Sequence, residues 1–394
     1  MTKKYRKTIG FGWGFIVSSA LTTMGTAHAM INQSNIDIDG GPLGKLEMSG
    51  GIAGYSYALT NNATNGAAYH QSGMRSAAML LQLEKATGIL QFTISVGKYN
   101  SAGLALGTAP TDIGEMNSRS LGVINMAYVT IAPPNLPFTI SAGNLNGLEG
   151  VEAGESWMNV SLLSTALSYE TTDMQTGANL QLGVGPASLT VQFGDIGDTH
   201  VFNNLELLGA YNFSNNNMLN LYASMNLGRT GLNAHTKFAG TSWSSSAVSA
   251  VPDLINSNTF GAYDVLTFGN LNLIPEIQYV YAKIDHKIAI DQASTNLGLA
   301  LFGDYNFANS PYSLGGWVDW DKSRGPYISF IGQNDETIAA ALAPTWQYKN
   351  IYLRANLGAI YLLNNQGGGF TYGFGSHNDQ RLQLVGAMEA GFVL

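Results

Sequence analysis

The chain contains no cysteine. That excludes disulfides, thiolate metal sites and a thiol nucleophile together. Charge is scarce as well: 11% of the 394 residues are charged, against roughly 25% in an ordinary soluble protein. The apolar fraction of 45% is ordinary, and polar character comes from Asn, Ser, Thr, Gln and 47 Gly rather than from ionised groups. Disorder does not fit, because disordered chains are poor in apolar residues and strongly charged. Beyond the first 30 residues no stretch offers the ~18 to 20 consecutive apolar residues of a membrane-spanning helix. What remains is a chain whose apolar residues are spread thinly and periodically.

The N-terminus stands apart. Lys3, Lys4, Arg6 and Lys7 precede an apolar stretch over residues 9–21, and the triplet Ala27-His28-Ala29 follows. A charged region, a short apolar run and an A-x-A site in that order form a secretory signal peptide. The run is shorter than the ~18 residues that a helical anchor would need. Cleavage after Ala29 is expected to leave 365 residues. The leader holds four of the 18 Lys and Arg and none of the 26 Asp and Glu, so the exported chain carries a formal charge of −12. A nucleic-acid partner is not expected of such a chain, since that role calls for a basic patch.

Period-two alternation, the mark of a strand with two different faces, recurs from about residue 46 to the end. In residues 351–361 one face reads Ile351, Leu353, Ala355, Leu357, Ala359, Tyr361 and the other Tyr352, Arg354, Asn356, Gly358. Leu382, Leu384, Met388, Ala390, Phe392 and Leu394 alternate in the same way with Arg381, Gln383, Glu389 and Gly391. Segments beginning at Leu90, Leu205, Leu219 and Leu297 repeat the pattern.

Connection lengths alternate too. Short turns are expected near 86–88, 133–136, 184–186, 215–217, 269–273, 308–311 and 349–350. Longer polar loops are expected near 59–74, 99–117, 145–171, 194–203, 228–257, 286–294, 322–335 and 363–379. Short turns at one end and long loops at the other is the construction of an outer-membrane barrel, with the short turns periplasmic. The predicted fold is all-β: a transmembrane antiparallel up-and-down β-barrel of about 16 strands, within roughly 14 to 18 because strand boundaries read this way err by ~2–4 residues. Residues 155–184 and 257–274 read ambiguously. The predicted layout is a signal peptide over 1–29, a short periplasmic segment over 30–45 and the barrel over 46–394.

A soluble β-sandwich also alternates its faces. Its wet face tends to carry Lys, Glu and Arg, whereas the polar face here is mostly Asn, Gln, Ser, Thr and Gly. Trp320, Trp346, Tyr348, Tyr361 and Phe392 fall on the apolar parity near strand ends, where a barrel places its aromatic girdles. Pro344 lies on the same parity inside a strand and cannot donate a ladder hydrogen bond, so a bulge is expected there.

Residues 74–196 carry a more specific pattern. Leu80 to Phe92 reads as strand, Thr-Gly turn and strand. It is followed by Val96-Gly97-Lys98-Tyr99, a strand ending in Ile131-Ala132-Pro133, the run Phe138 to Leu145, the loop Gly150-Val151-Glu152-Ala153-Gly154-Glu155, and Thr176-Gly177-Ala178-Asn179-Leu180. This third of the chain resembles the β-barrel porin type 2 family, which implies an outer-membrane barrel and brings no catalytic motif. The family's Arg-Gly pair is replaced here by Asn159-Val160-Ser161-Leu162, so no arginine role carries over. The C-terminal strand resembles the signal read by the barrel-assembly machinery, with Phe392 and a final Leu394 where an aromatic residue is common.

Enzyme motifs are missing. Gly44-Lys45 and Gly97-Lys98 are not P-loops, no histidine opens an H-E-x-x-H helix, and there is no G-x-S-x-G elbow. No cofactor and no metal is called for. His70, His200, His235, His286 and His377 all fall in expected loops, as solvated side chains or, alternatively, as a metal or proton sensor at the outer mouth. The carboxylates divide in two. Glu149, Glu152 and Glu155 cluster in the third long loop, which in many sixteen-stranded porins folds inward. Glu84, Glu206, Glu276, Asp304, Asp319 and Glu389 fall on the polar parity and would face the lumen, with Arg354, Arg381 and Lys98 able to neutralise part of them. On the same parity Asn356 is expected to tolerate arginine.

These residues favour a passive channel for small polar solutes or ions, weakly cation-preferring, because about sixteen strands enclose an aqueous lumen. A surface adhesin or structural barrel is a second reading, given the long Ser-, Ala- and Asn-rich stretch 228–257. A barrel enzyme such as a lipase or protease is a third. The expected partners are outer-membrane lipid, the assembly machinery and the diffusing solutes, and a homotrimer is left open.

Overall fold

The computed structural model describes residues 31–61, 71–99, 102–103, 124–169, 171, 174–196, 201–228, 256–286, 290–325, 334–365, 373–375, 377 and 379–394. The leader and His70, His200 and His235 lie outside the described residues, as does the side chain of Lys98.

A short strand, β1 (Ile36–Asp39), forms a hairpin with the first half of β2 (Lys45–Leu59). The chain continues through β3 (Ser72–Lys85), β4 (Leu90–Tyr99), the two-residue β5 (Ala102–Gly103), β6 (Ile124–Ile131) and β7 (Phe138–Asn146). After the two-residue β8 (Leu163–Ser164) come β9 (Met174–Val184), β10 (Ala187–Ile196), β11 (Asn204–Ser214), β12 (Asn217–Asn226) and β13 (Ser257–Phe268). The last six are β14 (Leu271–Ala282), β15 (Ser294–Asn306), β16 (Tyr312–Arg324), β17 (Asp335–Tyr348), β18 (Ile351–Asn365) and β19 (Leu382–Val393).

Setting aside β1, β5 and β8, sixteen strands pair antiparallel with their sequence neighbours. The barrel closes where β19 pairs with β2, from Val393↔Gly51 to Val385↔Leu59. β1 extends the same edge of β2 below the end of β19. All seven expected short turns and all eight expected long connections fall between these strands. The turns use left-handed backbone to reverse the chain tightly: Gly185 has φ +59°, and Lys349, in the two-residue turn between β17 and β18, has φ +52°.

Alternation becomes two faces. On β18 Tyr352, Arg354, Asn356, Ile360 and Leu362 are 0% exposed, whereas Ile351, Leu353 and Leu357 are 52%, 46% and 59% exposed. The exposed face carries Leu, Ile, Val, Phe and Tyr on nearly every strand. An apolar exterior over strands of this length is the lipid-facing surface of an outer-membrane barrel, in which ladder hydrogen bonding between strands satisfies the backbone within the bilayer. Near the periplasmic turns the outward Trp346 and Tyr348 stack at 6.4 Å between ring centroids, and Phe392 pairs with Ile351 close by. Trp320 and Tyr361 lie toward the other ends of their strands.

No bulge forms at Pro344. The register with β16 runs unbroken through Leu314↔Pro344, and the ladder with β18 resumes in the same register after skipping Ala343 and Pro344. The missing N–H removes one ladder interval without inserting a residue. Pro275 on β14 produces the same gap opposite β13.

The inner face is less polar than the alternation suggested. Tyr222, Tyr263, Phe302, Trp317, Tyr352, Ile360 and Leu362 are buried there and belong to one cluster with residues of the third long loop.

Candidate functional site

That loop, between β7 and β9, lies inside the barrel. Its first residues leave the wall at β10 and β11: the Gln192 amide donates to the Asn146 carbonyl at 2.8 Å, and the Leu148 N–H donates to Glu206 at 3.0 Å. Gly150 then turns with φ +74°, a conformation that side chains disfavour. The loop tip is closed by Asn159, which accepts from the Ala153 N–H at 2.8 Å and donates to the Ala153 carbonyl at 2.7 Å. Gly154 passes against the Tyr99 ring of β4, where a Cβ would stand 2.4 Å from the ring.

The second half of the loop docks on the opposite wall. Arg354 is fully buried and pairs with Glu389, with Nε–Oε2 at 2.8 Å and Nη2–Oε2 at 2.6 Å. Its remaining donors reach the loop, Nη1 to the Asn159 carbonyl and Nη2 to the Ser156 carbonyl, both at 2.7 Å. The hydroxyls of Ser156 and Tyr352 donate to the other Glu389 oxygen at 2.5 and 2.8 Å. Asn356 accepts from the Leu162 N–H at 2.9 Å and the Ser161 hydroxyl at 3.1 Å. Trp317 donates its indole N–H to the Leu163 carbonyl at 2.7 Å, and Asp319 accepts from the Ala166 N–H at 2.8 Å. Gly298 leaves the space that Leu167 fills, since a Cβ there would meet Leu167 at 2.6 Å. The polar backbone of a loop buried among wall residues is thus satisfied point by point.

Apolar packing accompanies these bonds. Trp157, Val160, Leu162, Leu163, Ala166 and Leu167 are buried in the cluster with Phe302, Trp317, Tyr352 and Ile360. Within the loop, Glu152 accepts from the Thr165 N–H at 3.0 Å and from the Thr165 hydroxyl. Burial pushes the Glu152 carboxyl up to about 7, against the downward pull of those two bonds.

On the other side the loop leaves a cavity of about 570 Å³. Glu47, Glu84, Glu149, Glu152 and Glu155 line it, together with Tyr99, Tyr128, Tyr263 and Trp157. No Lys or Arg is among the described lining residues.

The sequence candidates therefore separate. Glu149, Glu152 and Glu155 come together with Glu84 at the cavity. Glu206, Asp319 and Glu389 face inward but hold the loop, and Glu276 accepts from the Tyr222 hydroxyl at 2.7 Å. Asp304 is buried near the periplasmic turn after β15 and accepts from Asn272. Arg381 stands just before β19 with an exposed side chain, at the end joined by the long loops, because the strand starts only at Leu382. The expected tolerance of arginine at Asn356 is corrected, since that side chain is fully buried and holds two loop groups. His286 is exposed and contacts Asp291 at 2.8 Å, and His377 is exposed.

Sequence reading missed Glu47, Ser156, Trp157 and Trp317. Glu47 sits at the foot of β2, ion-paired with Lys45 at 3.0 Å. A signal for the loop did exist: a connection carrying Trp157, Met158, Val160, Leu162, Leu163 and Leu167 is too apolar to lie in solvent.

No family model matches the chain, and no curated protein matches it. Solved structures do. An anion-selective porin from Comamonas acidovorans aligns with TM-score 0.58 and 9% identity over 89% of this chain and 99% of its own. OmpT, an outer-membrane protein of Vibrio cholerae folded in vitro in a trimer form, aligns with TM-score 0.53 and 10% identity over 89% and 99%. Salmonella typhi OmpF in complex with daunomycin aligns with TM-score 0.52 and 14% identity over 91% and 100%. At such identities the likeness is one of fold, and the fold is that of a porin-like outer-membrane barrel.

Proposed function

We propose that this chain is a passive diffusion channel for small polar solutes, cation-preferring, whose constriction is the third loop. In this reading residues 1–29 are a cleaved export signal, the C-terminal strand ending in Phe392 and Leu394 is read by the assembly machinery, and the barrel trimerises as the Vibrio cholerae OmpT form does. The resemblance of residues 74–196 to the β-barrel porin type 2 family belongs to the same reading. One observation carries the proposal: the loop narrows the lumen to a cavity lined by five glutamates, one of them Glu47 paired with Lys45, and by no described Lys or Arg. The buried cation of the wall, Arg354, is covered by the loop and paired with Glu389. Fixed charges act over about 8–10 Å at physiological salt, so an ion crossing the constriction passes within reach of the glutamates.

Reversal potentials in planar bilayers under a KCl gradient test this. The expected result is cation preference at low salt, shrinking toward 1 M where the screening length is about 3 Å, and reduced in the triple variant Glu149→Gln, Glu152→Gln, Glu155→Gln. Anion preference at low salt, or no conductance at all, would overturn the reading.

A further inference from the structure

Residues 31–35, which precede β1, hold a fixed position at the periplasmic mouth of the barrel. A chain end is ordinarily loose unless something ties it down. Asn32 is tied twice to Gln347 of β17: its N–H donates to Gln347 Oε1 and its carbonyl accepts from Gln347 Nε2, both at 2.8 Å. The Ser34 hydroxyl accepts from the Asn350 side-chain amide at 3.2 Å, and the same amide donates to the Val393 carbonyl of β19 at 2.7 Å. The Asn35 amide donates to Glu47 of β2 at 3.2 Å, just before β1 pairs with that strand. The segment therefore follows the rim beneath β17, β18 and β19 and arrives at β2.

Its residues alternate in role. Asn32 and Ser34 bond to the rim, whereas Gln33 and Asn35 line the cavity. Ile31 is 0% exposed and belongs to the apolar cluster that includes Trp157 and Val160 of the third loop and Val393 of β19. The Gln33 amide nitrogen is buried without an acceptor. A donor held in that way costs free energy, which a loose tail would avoid by turning the amide to water.

From these observations we infer that residues 31–35 are a strap that forms part of the conduction path. Gln33 and Asn35 set the periplasmic exit of the constriction together with the third loop, and Asn35 and Lys45 fix the carboxylate of Glu47 at that exit. The inference rests on the diffusion-channel reading and adds a second pore-limiting element to it.

The chain has no cysteine, so a single one placed on the strap reports on its own surroundings. Gln33→Cys and Asn35→Cys are made in the exported chain, residues 30–394, and single channels in planar bilayers are exposed to a bulky, positively charged methanethiosulfonate reagent. Ile36→Cys is the control, since Ile36 is exposed next to the strap and lies outside the cavity lining. Labelled Gln33→Cys and Asn35→Cys channels are expected to lose current in discrete steps, and Asn35→Cys to lose cation preference as the positive group settles beside Glu47. Ile36→Cys is expected to take the label with current and reversal potential unchanged. Ile31→Asp, whose charge does not fit the apolar cluster, is expected to release the strap and raise the single-channel current. Labelling confirmed by mass with current unchanged, failure of both strap variants to react in open channels, or an equal loss at Ile36→Cys overturns this inference and leaves the diffusion reading standing. Absence of conductance in the unsubstituted chain overturns both.

Discussion

The two halves of the lumen wall use the same kinds of residue differently. On β16, β18 and β19, Asp319, Asn356 and Glu389 point inward and accept hydrogen bonds from the third loop. On β2 and β3, Glu47 and Glu84 also point inward, and what faces them is the cavity. A carboxylate on the inward parity is therefore a docking group or part of an ion path according to which wall the loop covers. The wall of β16, β18 and β19 meets the loop as a packed core, whereas Glu47 and Glu84 line open space at the foot of β2 and β3.

The largest effect should come from breaking the covered half. Arg354→Ala leaves Glu389 buried without its cation and strands two loop carbonyls, and is expected to destabilise the barrel by about 3–5 kcal/mol. On the open half Glu84→Gln should change stability by less than about 0.5 kcal/mol. Urea unfolding midpoints in detergent check the pair, and equal losses would erase the distinction between the walls.

The outer face supplies the next test. Leu353→Arg places a charge in the apolar belt and is expected to cost about 2–4 kcal/mol. The inward neighbour Asn356 offers no relief, because Asn356→Arg displaces the loop from its anchor, and the loss should appear as larger and noisier single-channel currents. Quiet, unchanged currents would mean that the loop does not depend on this wall.

A smaller effect is expected at the glycine beneath the loop. Gly298→Ala pushes against Leu167, and overpacking of this kind costs about 1–3 kcal/mol. Gly209→Ala is the control, since nothing lies within 4 Å of a Cβ there. Thermal unfolding of the two variants side by side separates a packing effect from the general response of a strand to losing a glycine.

The smallest expected effect is on selectivity and depends on pH. Glu152, raised to about 7, is neutral below that pH and charged above it. Cation preference should therefore rise between a pH of about 6 and one of about 8, as the carboxyl ionises. Reversal potentials across that range measure it, and Glu152→Gln should flatten this part of the profile. A rise of the same size in the variant would assign it to other carboxylates of the cavity.

Much of the barrel was legible because a strand between lipid and lumen writes its two faces into alternate residues. Leu353 and Asn356 could be assigned to opposite faces from the pattern alone, and the strand count followed from turns such as Lys349-Asn350. Pro344 misled because a bulge is only one way to accommodate a missing N–H; a skipped ladder interval is another.

For this protein the amino-acid order by itself determined the barrel: the period-two faces, the short turns and long loops, and the acidic third loop. These are local consequences of a chain repeatedly crossing between two solvents. Which wall that loop would cover was decided only by the tertiary structure. Arg354 meets Asn159 and Ser156, and Trp317 meets Leu163, across more than 150 residues of chain. Such contacts depend on how the closed barrel brings distant strands around the loop, and residue spacing along the chain holds no trace of that.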